Sequence, residues 1–256
     1  MFRTAIVCPP CVRFHEGHTM AALGKPDYEL ALEQHRKYCS ALEDCGLRVV
    51  RLEAEPRHPD SAFVEDTAVL TERGGMLARP GVSSRAGEVP SIREALSQFF
   101  SHLRSIQAPG TLDGGDICEA EGHFFIGISR RTNEQGAEQL AAWLAEMGYT
   151  STLVDIRDAT GILHLKSGVS YIGDNRLVVI ESMANREPFR NYEQIPVGAG
   201  DEYAANCIRV NDHLLLAAGF PAVEFSLRKL GYSITLLEMS EFQKMDGGLS
   251  CLSLRF

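Results

Sequence analysis

Three residue types at three places in the chain could together carry nucleophilic chemistry. Cys251 stands near the chain end, just after the turn-forming Asp246-Gly247-Gly248. Mid-chain, Leu112-Asp113-Gly114-Gly115-Asp116 repeats the same acidic, double-glycine device, and Leu163-His164-Leu165-Lys166 supplies an imidazole flanked by apolar residues. A thiol that attacks as thiolate, an imidazole that titrates near neutral pH and a carboxylate to orient it are the parts of thiol catalysis.

Each part also has a plainer reading. Cys251 reads as an inert buried thiol, since free cysteine is among the most buried residue types. Against that, the preceding glycines let the backbone turn sharply, and Ser250 and Ser253 put polar groups beside the sulfur. His164 between leucines reads as a structural histidine, but Gly161 to Gly168 mixes Gly, His, Lys and Ser just before an expected strand, where loops place acid and base groups. Cys8-Pro9-Pro10-Cys11 with His15 and His18 has the residue types of a zinc site. Crowded into one short stretch, without the strand and helix of a zinc finger, they read as a loop with incidental cysteines, and no metal is assigned.

Charged residues near expected strands extend the picture. Asp60, Glu65 and Asp66 bracket an apolar strand start. Solvation is the ordinary fate of such groups, but successive strand residues point to opposite faces, so one of Glu65 and Asp66 should face inward and seek a cation. Arg85 and Arg131 both follow expected hairpins on loops leading to helices. Arginines there are usually solvated; two guanidinium forks on one side would make a carboxylate clamp. Acidic groups on one side and arginines on another suit a zwitterionic or cationic amino acid.

The whole chain sets the setting. With 256 residues, 45% hydrophobic and 23% charged, it can bury a large core, and a net charge of −9 without a basic run argues against a nucleic-acid surface. No uninterrupted span of about 18 apolar residues is present, so no membrane segment is expected. Seven cysteines is an odd count for a disulfide framework and points to reduced thiols in the cytoplasm. A small-molecule partner is expected, and alternating apolar edges leave room for a homodimer surface.

The elements that must position these groups recur. Hairpins are expected at Phe63 to Arg79 (turn Gly74-Gly75), Asp116 to Ile128 (turn Gly122), Val169 to Ile180 (turn Asp174-Asn175) and Cys207 to Ala218 (turn Asn211-Asp212), spaced by roughly 40 to 50 residues. Helices follow at Ile92 to Leu103, Thr132 to Met147 and Pro221 to Leu230, then short strands such as Thr152 to Val154 and Ser233 to Leu237. At the start come a strand at Thr4 to Val7, a helix at Pro26 to Cys45 and a strand at Leu47 to Leu52; a lone strand at Ser250 to Leu254 ends the chain. If the last strand pairs with the first, five units close into an α/β propeller without a free edge; an open α/β sheet is the alternative.

The ordered set Leu23-Gly24-Lys25-Pro26-Asp27-Tyr28, Phe63-Val64-Glu65-Asp66, Arg79-Pro80-Gly81, Asp113-Gly114-Gly115-Asp116, Leu163-His164-Leu165-Lys166, Ala204-Ala205-Asn206-Cys207 and Asp246-Gly247-Gly248-Leu249-Ser250-Cys251 resembles the dimethylarginine dimethylaminohydrolases, from the first strand to the last residue. The resemblance implies one domain over residues 1–256, a five-bladed α/β propeller (pentein fold) with pseudo-fivefold repeats. It further implies hydrolysis of Nω-methylated arginines to citrulline and a methylamine, with no metal or organic cofactor. By the same resemblance Cys251 is the nucleophile, His164 the general acid and base, and Asp113 the carboxylate beside it. Asp60, Glu65 and Asp66 match residues around the amino and guanidinium groups. Arg85 and Arg131 match those holding the substrate carboxylate, and the carbonyls of His18 and Met245 match contacts to the amino group. His18 departs from the leucine expected there. The rival readings are an arginine or agmatine deiminase, or a non-catalytic binding propeller.

Overall fold

The computed structural model describes all 256 residues, which divide into two compact units, residues 1–64 with 206–256 and residues 65–205. The first unit opens with β1 (Thr4–Val7), α1 (Tyr28–Asp44) and β2 (Arg48–Arg51). Asp27 starts α1 by accepting the Leu30 N–H at 2.9 Å, and Ala31, Gln34, His35, Tyr38 and Leu42 recur at helical spacing on its buried face.

The second unit holds three hairpin-plus-crossover modules. These are β3 (Ala68–Thr71), β4 (Gly74–Leu77), α2 (Val89–Ser97) and β5 (Leu103–Ser105); β6 (Ile117–Ala120), β7 (His123–Ile128), α3 (Glu134–Glu146) and β8 (Thr150–Asp155); and β9 (Val169–Tyr171), β10 (Arg176–Ile180) and β11 (Glu193–Val197). The chain then returns to the first unit with β12 (Ile208–Val210), β13 (His213–Ala217), α4 (Pro221–Lys229), β14 (Ser233–Leu237), α5 (Ser240–Gln243) and β15 (Leu254–Arg255).

These strands make five three-stranded sheets of one plan, an antiparallel pair followed by a parallel third strand. In the sheet β15-β1-β2 the antiparallel pair comes from the two chain ends, with Ala5 opposite Arg255 and Ile6 opposite Leu254. The expected pairing of last strand with first therefore holds. In the second unit Leu140, Trp143 and Leu144 of α3 pack on Phe124 and Ile126 of β7.

Three expected hairpin turns are in place, because left-handed residues suit the strand twist: Glu121 and Gly122 (φ 51° and 83°), Asp174 and Asn175 (54° and 57°), and Asn211 (54°). The hairpin from Phe63 differs. Val64–Thr67 is a 3-10 turn, the strand begins at Ala68, and Gly74-Gly75 lie inside β4. The chain reverses instead at Glu72-Arg73, where the Thr71 hydroxyl accepts the Arg73 N–H at 3.2 Å. The helix expected from Ile92 begins at Val89, with Pro90 in its first turn, and Leu103 opens a strand. Ser250–Leu252 is a 3-10 turn, which leaves only Leu254–Arg255 as the last strand. β5 and β11 were not foreseen; between β10 and β11 the crossover carries a 3-10 turn, Glu187–Phe189, in place of a helix. No helix is long and apolar enough to cross a membrane.

Candidate active site

In the second unit the DGGD segment forms a 3-10 turn, Gly114–Asp116, at the entry to β6, and His164 leads into another, Leu165–Ser167, before β9. Both turns lead into a strand, which anchors the side chains they carry. His164 is buried; its Nε2 lies 3.1 Å from Asp113 Oδ2 and 3.9 Å from Asp66 Oδ1. Asp113 is fully buried, its Oδ1 accepting the Gly81 N–H at 2.8 Å and its backbone N–H reaching Thr132 Oγ1 at 3.1 Å. Gly115 lets the imidazole approach: a Cβ there would lie 2.8 Å from His164 Cγ and Nδ1 and from Asp66 Oδ1.

Charge decides the protonation of this cluster. Burial works against the His164 imidazolium, but the carboxylates of Asp66, Asp116 and Asp113 outweigh it and raise the group from 6.5 to about 9. Burial likewise works against the Asp66 carboxylate, yet His164, Arg85 and the Gly115 N–H bring it down to about 2. Asp116 is pushed up by burial to about 6, against the pull of His164 and the hydroxyls of Ser129 and Thr132. At neutral pH, then, His164 carries its second ring proton.

Asp116 also holds His164 in place. Its Oδ1 accepts the Leu165 N–H at 3.0 Å and its Oδ2 the Ser129 hydroxyl at 2.7 Å, so the backbone beside the imidazole is anchored to a buried carboxylate.

Both Glu65 and Asp66 are buried and both meet a cation, where only one inward-facing carboxylate was expected; a 3-10 turn, unlike a strand, does not send neighbours to opposite faces. Glu65 Oε1 takes Lys166 Nζ at 2.5 Å, and Asp66 Oδ2 takes Arg85 Nη1 at 2.5 Å. Arg85 is not a solvated fork. It is 4% exposed, its Nε and Nη2 meeting Glu88 at 3.0 and 2.8 Å. Arg131 is more accessible, its Nη1 3.6 Å from Asp113 Oδ2. Oxygens of Asp66 and Asp113 and a ring nitrogen of His164 fall within 4.8 Å of one another, a grouping of metal-ligand type. Arg85 and Arg131 already supply positive charge to both carboxylates.

The first unit carries the thiol. Six of the seven cysteines are buried, and only Cys251 is partly open. The Gly248 N–H points at its sulfur over 3.4 Å, and the Cys251 N–H closes the 3-10 turn on the Gly248 carbonyl at 3.2 Å. Asp60 is buried and accepts the His18 N–H at 3.0 Å. Met245 is buried in the turn after α5. Asp246 (φ 56°) accepts the Thr19 hydroxyl at 3.0 Å and the Met20 N–H, which ties the loop after His18 to the segment before the thiol. Cys8 and Cys11 are buried, Cys8 facing the Glu53 carbonyl at 3.4 Å, while His15 meets Glu16 at 3.9 Å.

Not foreseen from the sequence were Glu88, Lys166, Asp116 and Asn206. Glu88 lies three residues after Arg85 in the 3-10 segment Ser83–Glu88, a spacing that pairs charges on a helical surface. Asp116, Lys166 and Asn206 each sit inside one of the motifs, which marks the stretch but not the partner each residue binds.

Residues 58–219 match the family model of arginine deiminase. Over 100% of both chains, the protein is 39% identical to the N(G),N(G)-dimethylarginine dimethylaminohydrolase of Pseudomonas aeruginosa. The chain belongs to the dimethylarginine dimethylaminohydrolase family. The Streptomyces coelicolor member is 31% identical over 99% of this chain and 96% of its own. Two solved structures of dimethylarginine dimethylaminohydrolase superpose with TM-scores of 0.97 at 39% identity over 100% of both chains. One is a histidine-to-glycine variant as an adduct with S-methyl-L-thiocitrulline, the other the Pseudomonas aeruginosa enzyme with cysteine changed to serine, complexed with citrulline. The N-terminal domain of ArgZ, a cyanobacterial arginine dihydrolase, shares the fold at 19% identity, TM-score 0.88. The fold is the five-bladed α/β propeller of this family, and the five three-stranded sheets are its blades.

Proposed function

We propose that the protein hydrolyses Nω-methylated arginines, asymmetric dimethylarginine and monomethylarginine, to citrulline and di- or monomethylamine, with Cys251 as nucleophile and His164 as general acid and base. The observation that carries this reading is that Cys251 is the one cysteine of seven that is not buried. Two further features support it. The substituted histidine and cysteine of the two family structures lie as far apart in their chain as His164 and Cys251 do here. His164 is also held protonated, as a leaving amine requires.

The Cys251 thiolate adds to the guanidinium carbon, and the carbon–nitrogen bond to the methylated amine breaks as His164 protonates that nitrogen. The product on the enzyme is an S-alkylthiouronium. Neutral His164 then takes a proton from water as its oxygen adds to the same carbon, and the carbon–sulfur bond breaks to give citrulline. Asp113 orients the imidazole and, with Asp66 and Asp116, offsets its charge. Asp60, Glu65 and Asp66 receive the cationic groups of the substrate, the His18 and Met245 carbonyls its amino group, and Arg131 and Arg85 its carboxylate. Residues 1–256 read as one domain, since the family relatives match over 100% of both chains. Seven cysteines, an odd count for a disulfide framework, support a reducing, cytoplasmic setting.

The test is citrulline release from asymmetric dimethylarginine beside unmodified arginine and agmatine, with folded Cys251→Ser protein as control. Selective turnover of the methylated substrate is expected. Turnover of arginine or agmatine alone would move the protein to a deiminase, and none from any would favour a binding protein. Arg131→Ala should raise KM by roughly ten- to a hundredfold with a smaller change in kcat, because a carboxylate clamp acts on ground and transition states alike. A loss confined to kcat would contradict that role.

A further inference from the structure

Asn206, in the link to β12, does more than fill space behind the thiol turn. Asn206 is 6% exposed and Ser250 1% exposed, and they meet twice. The Ser250 N–H lies 2.9 Å from Asn206 Oδ1, and Asn206 Nδ2 lies 3.1 Å from Ser250 Oγ. The first contact fixes the amide's orientation, because only its carbonyl oxygen can accept from a backbone N–H. The end facing the hydroxyl is therefore the NH2 group, which has only protons to offer. Ser250 Oγ accepts there, and its own proton is directed away from Asn206.

Cys251 Sγ lies 4.0 Å from Ser250 Oγ, and the Gly248 N–H reaches the same sulfur at 3.4 Å. A Cβ on Gly248 would stand 2.5 Å from Asn206 Cγ and Oδ1, so glycine at that position is what lets the amide lie against the turn. We infer that the Ser250 hydroxyl, oriented by Asn206, donates a hydrogen bond to the sulfur of Cys251 and stabilises it as it departs from the covalent intermediate. This rests on the hydrolase reading above. In that step water adds to the thiouronium carbon, its proton passes to His164, and the carbon–sulfur bond breaks with its electron pair going to sulfur. A hydroxyl aimed at the sulfur strengthens its bond as the negative charge develops, and contacts that are long at rest tighten in the transition state. In the first half-reaction the same donor steadies the thiolate and blunts its attack, so its net contribution falls on departure. Ser250 thus touches a reacting atom, while Asn206 is a positioning residue.

The experiment is steady-state kinetics on asymmetric dimethylarginine with intact-protein mass spectrometry of the enzyme quenched during turnover. Ser250→Ala should lower kcat roughly tenfold. KM should fall in parallel and the fraction of enzyme carrying the covalent adduct should rise, because the slowed step follows adduct formation; Ser250→Thr should restore both. Asn206→Asp should also accumulate adduct, since its carboxylate still accepts the Ser250 N–H but now attracts the Ser250 proton away from the sulfur. It also decides the matter if Ser250→Ala does not fold. Loss of kcat/KM without adduct, or wild-type behaviour in both variants, would overturn the role while leaving the hydrolase reading intact. A wild-type enzyme that releases no citrulline would overturn both.

Discussion

Replacing His164 by glycine is expected to slow citrulline release from asymmetric dimethylarginine by roughly a hundred- to ten-thousand-fold, the range of a positioned general acid and base. Dimethylamine leaves as a neutral amine only if its nitrogen gains a proton, and His164, raised to about 9, carries one at neutral pH. A substrate whose leaving group is a thiol needs no such help. The glycine variant should therefore still form an adduct on Cys251 with S-methyl-L-thiocitrulline and then stall, because no base activates water; intact mass reports the adduct and citrulline assay its failure to turn over. An almost unchanged turnover of the amine substrate would remove His164 from the mechanism. The native enzyme should also lose amine departure as pH rises past about 9, where the imidazolium is discharged. Stability follows the same sign. A folded value above the unfolded 6.5 means a contribution fully present below 6.5 and lost as pH rises through about 9, and the glycine variant should lack it.

The reactive parts were legible in the sequence because each stands in unusual local company. Cys251 behind two glycines and His164 between leucines could be picked out before any fold was known, and three of four hairpins followed from Gly122, Asp174-Asn175 and Asn211 in left-handed turns. What escaped was what only tertiary contact creates. Phe63 to Arg79 reads as apolar runs around a glycine turn, yet the buried Glu65 and Asp66 require Lys166 and Arg85 beside them, and a 3-10 turn brings both carboxylates to their cations. No local pattern announces that. The same holds for β5 and β11, edge strands of three and five residues whose only partner is a parallel neighbour. Asn206 stands in a motif that does not tell its contacts, since the groups it binds lie far along the chain in the turn of Cys251.

Arg85→Ala should be the most destabilising of the single changes considered, by about 3–5 kcal/mol at pH 7, as expected when one member of a buried ion-pair group is removed. Arg85 serves two buried carboxylates at once, Asp66 at 2.5 Å and Glu88 at 2.8 Å. The pair is therefore more than a surface contact, and Arg131, reaching Asp113 only at 3.6 Å, should matter far less to stability. The pH dependence separates lost charge from lost packing. In the native protein Asp66 sits at about 2, so its contribution is present above its ordinary value of 3.8 and is lost only as pH falls through about 2. Without the guanidinium, burial weighs more heavily on the Asp66 carboxylate, whose remaining offsets are His164 and the Gly115 N–H, so it moves upward and the variant gains stability on acidification relative to the native protein. The gap in urea midpoint between the two should narrow from pH 7 towards about pH 4–5. Arg85→Lys, which keeps the charge but not the fork that spans Asp66 and Glu88, should recover part of the loss. An Arg85→Ala protein within about 1 kcal/mol of the native one at pH 7 would mean that water or local rearrangement already satisfies both carboxylates. The guanidinium would then be held for the substrate rather than for the fold.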